Sequence, residues 1–90
     1  MLLHGFPQTA ACWIWVAETL AAVGYRVLAP DQRGYSPGAR PAAVRAYRMP
    51  KARRPRARLG RAARFHVVGR DWGGAVAWAL AGRHPERVAT

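Results

Sequence analysis

Phe65-His66-Val67-Val68-Gly69-Arg70-Asp71-Trp72-Gly73-Gly74-Ala75-Val76-Ala77-Trp78 is the stretch whose reading decides the fold. A β-branched and aromatic run leads into Gly-x-Asp-x-Gly-Gly, and an alanine-rich apolar run follows. That succession spells strand, sharp turn, helix. Gly69 and Gly73 leave room where the backbone doubles back, and Gly74 is expected to let the new helix approach the strand closely. Asp71 stands at the apex, at the helix N-terminus, where the helix dipole favours its anionic form.

A side chain thrust out at such a corner has the geometry of a nucleophile elbow, written G-x-S-x-G, with aspartate in place of serine. An aspartate there implies attack on carbon to give an alkyl ester, covalent catalysis by a carboxylate. These fourteen residues also admit a plainer reading, a surface aspartate that caps a helix in an ordinary α/β unit.

Upstream, Leu2-Leu3 reads as the end of a buried strand running into His4-Gly5-Phe6-Pro7. Residues 10 to 23 place Trp13, Val16, Leu20 and Val23 on one helical face, with Thr9 as N-cap and Gly24 where a C′ glycine belongs. Tyr25-Arg26-Val27-Leu28-Ala29 reads as a second strand, stopped by Pro30. Strand, helix and strand at this spacing form a βαβ unit, so the strands should be parallel. Asp31 to Pro41 is loop on its glycine and proline content. The third strand is Phe65 to Val68, and the final helix runs from about Gly73 to Arg83, ended by His84-Pro85.

Ninety residues allow one small domain with a marginal core. The net charge of +11 suggests nucleic acid until it is located. Residues 39 to 64 hold ten of the fifteen Lys and Arg and none of the four acids, so the rest of the chain carries a balance of +1. Such a segment binds polyanions without sequence choice, and it is more often solvated chain. Leu59 is the only large apolar side chain between Lys51 and Arg64, and Pro55 and Gly60 would interrupt a helix there. The Arg-rich segment 40–64 is therefore expected to be poorly ordered, at best a short frayed turn from Arg56 to Arg64. The Arg/Ala/Pro composition of residues 51–64 is also what a compensated pair of frame shifts in GC-rich DNA would produce, the competing account being a genuine basic insertion. One cysteine, Cys12, excludes an intrachain disulfide. With neither a signal-like start nor an apolar window of membrane-spanning length, cytoplasmic is the default location. The three histidines lie far apart without partnering carboxylates, so no metal site is expected.

Three motifs together carry a resemblance. His4-Gly5-Phe6-Pro7, Ala29-Pro30-Asp31-Gln32-Arg33-Gly34-Tyr35-Ser36 and Val68-Gly69-Arg70-Asp71-Trp72-Gly73-Gly74 occur in the order and spacing of the α/β-hydrolase fold. Asp71 and Trp72 make the chain similar to the epoxide hydrolase and haloalkane dehalogenase branch, and the pairing of His-Gly-Phe-Pro with Asp-Trp-Gly-Gly favours epoxide hydrolase. His84-Pro85-Glu86-Arg87-Val88 is similar to the segment that follows the elbow helix there.

The resemblance implies an α/β architecture, a partial α/β-hydrolase fold of about three parallel strands with flanking helices. Residues 1–90 would form a single incomplete domain running from the oxyanion loop to the elbow helix. It implies Asp71 as nucleophile, and the backbone N–H groups of Phe6 and Trp72 as the oxyanion hole, with His4, Gly5, Pro7, Gly69, Gly73 and Gly74 supporting them. Trp72 would also wall the substrate pocket; in dehalogenase-like relatives its indole N–H helps hold the leaving halide. In the family's strand order the first strand lies between the other two, which sets Phe6 and Asp71 on adjacent strand ends. The substrate would be a small-molecule epoxide or related carbon electrophile, turned over without metal or organic cofactor, with no membrane and no specific nucleic acid involved.

Two departures stand out. The residue before the aspartate is histidine in the usual Gly-His-Asp-Trp-Gly-Gly form and Arg70 here, a cation beside the nucleophile. The family's first two strands, its lid, acid and water-activating histidine have no counterpart in these residues, so the 90-residue chain alone is expected to form an ester without turning over. His4 is read as ordering its loop, His66 as packed or hydrogen-bonded within a strand, and His84 as solvent-facing. The alternatives are a haloalkane or haloacid dehalogenase and, from another class, a small basic nucleic-acid-binding module on residues 40–64.

Overall fold

The computed structural model describes residues 1–47 and 64–90. The expected disorder over 48–63, the frayed turn from Arg56 and the question of that segment's origin lie outside the described residues. Within residues 40–47, Val44–Tyr47 forms a single 3-10 turn.

Strand β1, Leu2–Leu3, is the centre of the molecule, with both leucines buried. It pairs in parallel with β2, Val68–Gly69, in the register Leu2↔Val68 and Leu3↔Gly69. Val68 N–H donates to Met1 C=O at 2.9 Å, and Arg70 N–H to Leu3 C=O at 3.2 Å, extending the pairing at both ends. On the other side of β1, Leu2 N–H donates to Leu28 C=O at 2.8 Å. β1 thus lies between the chain around Leu28 and β2, the order the resemblance implies.

The ladder is narrower than the sequence suggests. Tyr25 to Ala29 does not form a strand: one bond to β1 does not make a ladder, which needs bonds repeating along both chains. The third strand is displaced too, since β2 starts only at Val68 and Phe65 forms an isolated parallel bridge with Val88. Phe65 accepts from Ala89 N–H and donates to Arg87 C=O, both at 2.8 Å, and Val67 N–H donates to Thr90 C=O at 2.8 Å. The tail after Pro85 therefore lines the far edge of the sheet. His66 sits between bridge and ladder, with its Nδ1 2.6 Å from Thr90 Oγ1 and its side chain exposed rather than packed.

The first helix opens as a 3-10 turn, Ala10–Trp13, and becomes α-helical as α1, Ile14–Ala22. Thr9 is its N-cap, its side chain accepting from Ala11 N–H at 3.4 Å, and Gly24 follows the C-cap at φ +96°, a conformation that favours glycine. The expected apolar stripe is only half used. Trp13 and Leu20 are partly buried, whereas Val16 and Val23 are exposed. Two-residue strands present too little sheet surface to cover the whole stripe.

Helix α2, Trp72–Arg83, begins one residue earlier than expected and packs on β1 and β2 through Gly73 and Leu80. His84 is its C-cap, with its N–H bonded to Leu80 C=O at 2.8 Å, and Pro85 forbids another turn.

Candidate functional site

The corner between β2 and α2 depends on close backbone approach. A Cβ on Gly69 would overlap the Gly73 carbonyl and lie 2.7 Å from Gly74 N, and one on Gly73 would overlap the Leu3 and His4 carbonyls. Neither position can hold a larger residue without moving backbone. Gly74 differs from expectation: its Cβ would meet Gly69 O at 3.5 Å, an ordinary contact, so Gly73 and not Gly74 brings the helix onto the sheet.

Between these glycines Asp71 adopts φ 53° and ψ −124°. It is a positive-φ residue other than glycine, a conformation that costs roughly 1–3 kcal/mol and is held only by its surroundings. The corner turns the Asp71 side chain out to solvent, and that side chain makes no capping bond to its own helix.

Its carboxylate reaches instead to the His4-Gly5-Phe6-Pro7 loop. Phe6 N–H donates to Asp71 Oδ2 at 2.9 Å, a contact that spans 65 residues of sequence. The Trp72 N–H faces the same carboxyl, and these two backbone donors, Trp72 first and Phe6 second, hold Asp71 below the usual carboxylate range against a small opposing effect of burial. The Arg70 charge adds the smallest share, and its guanidinium bonds Gln8 Oε1 at 2.9 Å. The departure at position 70 therefore leaves the carboxylate governed by backbone donors rather than by the neighbouring cation.

Gly5 makes the approach of loop and corner possible. A Cβ there would stand 2.6 Å from both Asp71 Cβ and Asp71 Oδ2. The Phe6–Pro7 peptide is cis, and the Phe6 and Trp72 side chains are 70% and 66% exposed.

His4 is fully buried beneath this loop. Its Nε2 accepts the Gln32 N–H at 2.9 Å, which leaves the ring proton on Nδ1, 3.2 Å from Gly5 C=O; the tautomer follows from these partners. Asp31 Oδ1 stands 4.0 Å from Nε2, but a nitrogen that accepts an N–H carries no proton to share with it. Asp31 caps Ala10 N–H instead, at 2.8 Å. The Gln32 side chain also donates to the His4 carbonyl, and the Tyr35 ring meets the imidazole edge to face at 4.8 Å. His4 thus orders its loop, as expected. The partners of His4 and Ala10 in the Asp31–Tyr35 loop escape sequence reasoning, since only the position of that loop against β1 reveals them.

His84 lies at the C-terminal end of α2, exposed, 3.7 Å from Glu86. Each of the three histidines is therefore engaged away from the Asp71 carboxylate. Among the described residues no three His, Cys, Asp or Glu side chains gather as metal ligands would, and no helix is long and apolar enough to cross a membrane.

The comparisons with known proteins bear on the fold as a whole. The AB hydrolase superfamily protein YfhM of Bacillus subtilis is 43% identical over 91 residues, which cover 96% of this chain and 31% of YfhM. Epoxide hydrolase A of Mycobacterium tuberculosis is 42% identical over 92 residues, covering 99% of this chain and 29% of that protein. An epoxide hydrolase from an endophytic Streptomyces superposes at a TM-score of 0.85 with 39% identity, covering 97% of this chain and 27% of that one. The chain spans about a quarter to a third of the length of these relatives. The α/β hydrolase fold family model matches residues 1–90, both sides of the corner included, and the chain belongs to that family.

Proposed function

We propose that this chain carries the nucleophile elbow and oxyanion hole of an epoxide-hydrolase-like enzyme, with Asp71 as nucleophile. One observation carries the reading: the Asp71 carboxylate is held across the sheet by Phe6 N–H at 2.9 Å, a bond to the end of the neighbouring strand. The epoxide hydrolases among its relatives supply the substrate class, a small-molecule epoxide. The large apolar side chains left exposed on both helices, Trp15 and Trp78 at 81% each, support reading residues 1–90 as part of one larger α/β-hydrolase domain. The single Cys12, exposed and unpaired, suits a reducing cytoplasm.

In the proposed reaction one Asp71 oxygen bonds to a ring carbon of the epoxide, and the carbon–oxygen bond of the ring breaks. The electron pair passes to the ring oxygen, which takes a proton from water. The other Asp71 oxygen becomes the ester carbonyl, facing the Phe6 and Trp72 N–H groups. Water adding to that carbonyl would place its negative charge between the same two donors, and collapse would release the diol and restore the carboxylate. None of the three histidines of these 90 residues is placed to activate that water, so the chain by itself stops at the ester.

Incubating the chain with styrene oxide, in a Cys12→Ser background that removes the exposed thiol, and weighing it intact should give a single adduct, mapped by peptide fragmentation to Asp71 and absent when Asp71→Asn is added. No adduct, or one that persists in Asp71→Asn, overturns the assignment. An adduct formed faster with a bromoalkane than with the epoxide moves the reading to the dehalogenase branch, for which the exposed Trp72 indole would be the halide donor.

A further inference from the structure

The Asp31–Tyr35 loop has no part in the chemistry described so far, yet it grips the oxyanion loop at the His4 carbonyl and the His4 ring, and the turn that follows at Ala10 N–H. We propose that Gln32 is a positioning residue for the Phe6 N–H, acting through His4 and the two peptides that flank Gly5.

A trans or cis peptide is planar, so fixing its carbonyl fixes the direction of its N–H. The Phe6 N–H belongs to the Gly5–Phe6 peptide, whose carbonyl is held by His4 Nδ1 at 3.2 Å and by Gln8 N–H at 2.9 Å. His4 can donate from Nδ1 because Gln32 N–H occupies Nε2 at 2.9 Å. The preceding peptide, His4–Gly5, is held through its carbonyl by the Gln32 side chain. One residue therefore sets the tautomer that holds the first peptide and directly restrains the second. Its partner groups are buried or half-buried, so water does not readily replace it. Asp31, 4.0 Å from the His4 ring, is the acid facing this network, and it is occupied by Ala10 N–H.

This assignment rests on the proposed reading of Asp71 for its catalytic consequence, though not for its geometry. The test uses the 90-residue chain and Gln32→Met, which keeps side-chain length and the backbone N–H but lacks the donor. Asp71 is first esterified with styrene oxide, and the ester is then cleaved with hydroxylamine, whose attack passes through a tetrahedral oxyanion. Loss of an oxyanion donor slows such steps about 100-fold or more, and Gln8 still holds the Gly5 carbonyl, so about tenfold slower ester cleavage is expected. Ester formation should change by less than about twofold, because attack on the epoxide places no new charge on the Phe6 N–H. Equal slowing of both steps, or no slowing of cleavage, overturns the proposal. Should the wild-type chain form no ester, the reading of Asp71 fails, and carbon-13 NMR of the Asp71 carboxyl decides the positioning role separately. Its titration midpoint must rise in Gln32→Met, and an unchanged midpoint refutes the role. If Gln32→Met does not match wild-type far-ultraviolet circular dichroism, deuterium exchange on the wild-type chain replaces it. Phe6 and Gln32 amides exchanging in concert support the brace, and independent rates overturn it.

Discussion

Replacing Gly5 with alanine puts the proposed division of labour at the corner under a direct test. The new Cβ would stand 2.6 Å from Asp71 Cβ and Oδ2 and 2.8 Å from the Arg70 carbonyl. Carbon atoms rest in contact at about 3.5 Å, so Asp71 and the loop must separate by about 0.9 Å. The Arg70 carbonyl is backbone and already accepts from Gly73 N–H at 2.9 Å, which leaves the loop as the side that yields. Separation of that size opens the Phe6 N–H to Asp71 Oδ2 distance from 2.9 Å to roughly 3.8 Å, beyond any hydrogen bond. The Trp72 N–H, on the corner itself, keeps its partner.

Two measurements follow from one substitution. Carbon-13 NMR should show the Asp71 carboxyl titrating at higher pH in Gly5→Ala than in wild type while staying below the usual carboxylate range, since the larger of its two backbone donors survives. Overpacking at this buried position should also lower stability by about 1–3 kcal/mol, read from urea unfolding. A folded Gly5→Ala with an unchanged Asp71 midpoint would refute the idea that Gly5 exists to let the loop reach the carboxylate.

Other expectations concern the helix, the pH response, the charge and the core. Gly73→Ala should destabilise by about 1–3 kcal/mol through its clash with the Leu3 and His4 carbonyls, whereas Gly74→Ala should be neutral or stabilise by about 0.5–1 kcal/mol as a helical glycine replaced by alanine; equal effects in urea melts would contradict the packing described. Asp71 titrates lower in the folded chain than unfolded, so its contribution to stability is present above the unfolded value and lost as pH falls through the folded one; unfolding followed from pH 6 to pH 2 should show a loss below about pH 4 that Asp71→Asn lacks. Ten of fifteen basic residues fall in 39–64, so binding to duplex DNA should be independent of sequence and disappear at physiological salt, and tight sequence-selective binding in a fluorescence titration would overturn that view. With Leu2, Leu3 and Leu80 as the buried apolar side chains among the described residues, thermal unfolding should be broad, and a sharp two-state monomer melt would contradict it.

The corner was legible because its constraint is local: glycines at 69 and 73 leave room for a reversal that only an apex residue with positive φ can complete. Gly74 misled because a glycine in sequence does not say which backbone it faces. The strand expected over Tyr25 to Ala29 has the composition of a strand, but pairing depends on a neighbour of matching length, and Leu2 offers it one N–H. Val88 gave no strand signal at all, being a lone β-branched residue after a helix stop, and its bridge to Phe65 is set by the fold of the tail. Gln32 and Asp31 carry no role readable in the sequence, because side-chain bonds to backbone groups 28 and 21 residues away leave no periodic trace.

One consequence joins the resting site to the proposed chemistry. The donors that hold the Asp71 carboxylate also lower its basicity, and a less basic oxygen is a poorer nucleophile. An arrangement built only for attack on an epoxide would leave the carboxylate less encumbered. What the two N–H groups favour is charge on the oxygen they face, and that oxygen carries charge twice in the proposed cycle: in the free carboxylate and again in the tetrahedral intermediate of ester hydrolysis. In the ester between those states it is a neutral carbonyl and gains least from them. The donors therefore stabilise the resting state and the second barrier relative to the ester, so they trade some rate in alkylation for rate in release. A Gly5→Ala chain, with Phe6 withdrawn, should accordingly form the styrene oxide ester no more slowly than wild type and surrender it to hydroxylamine more slowly. Faster release after loss of that donor would mean that Phe6 N–H serves only to hold the carboxylate in place.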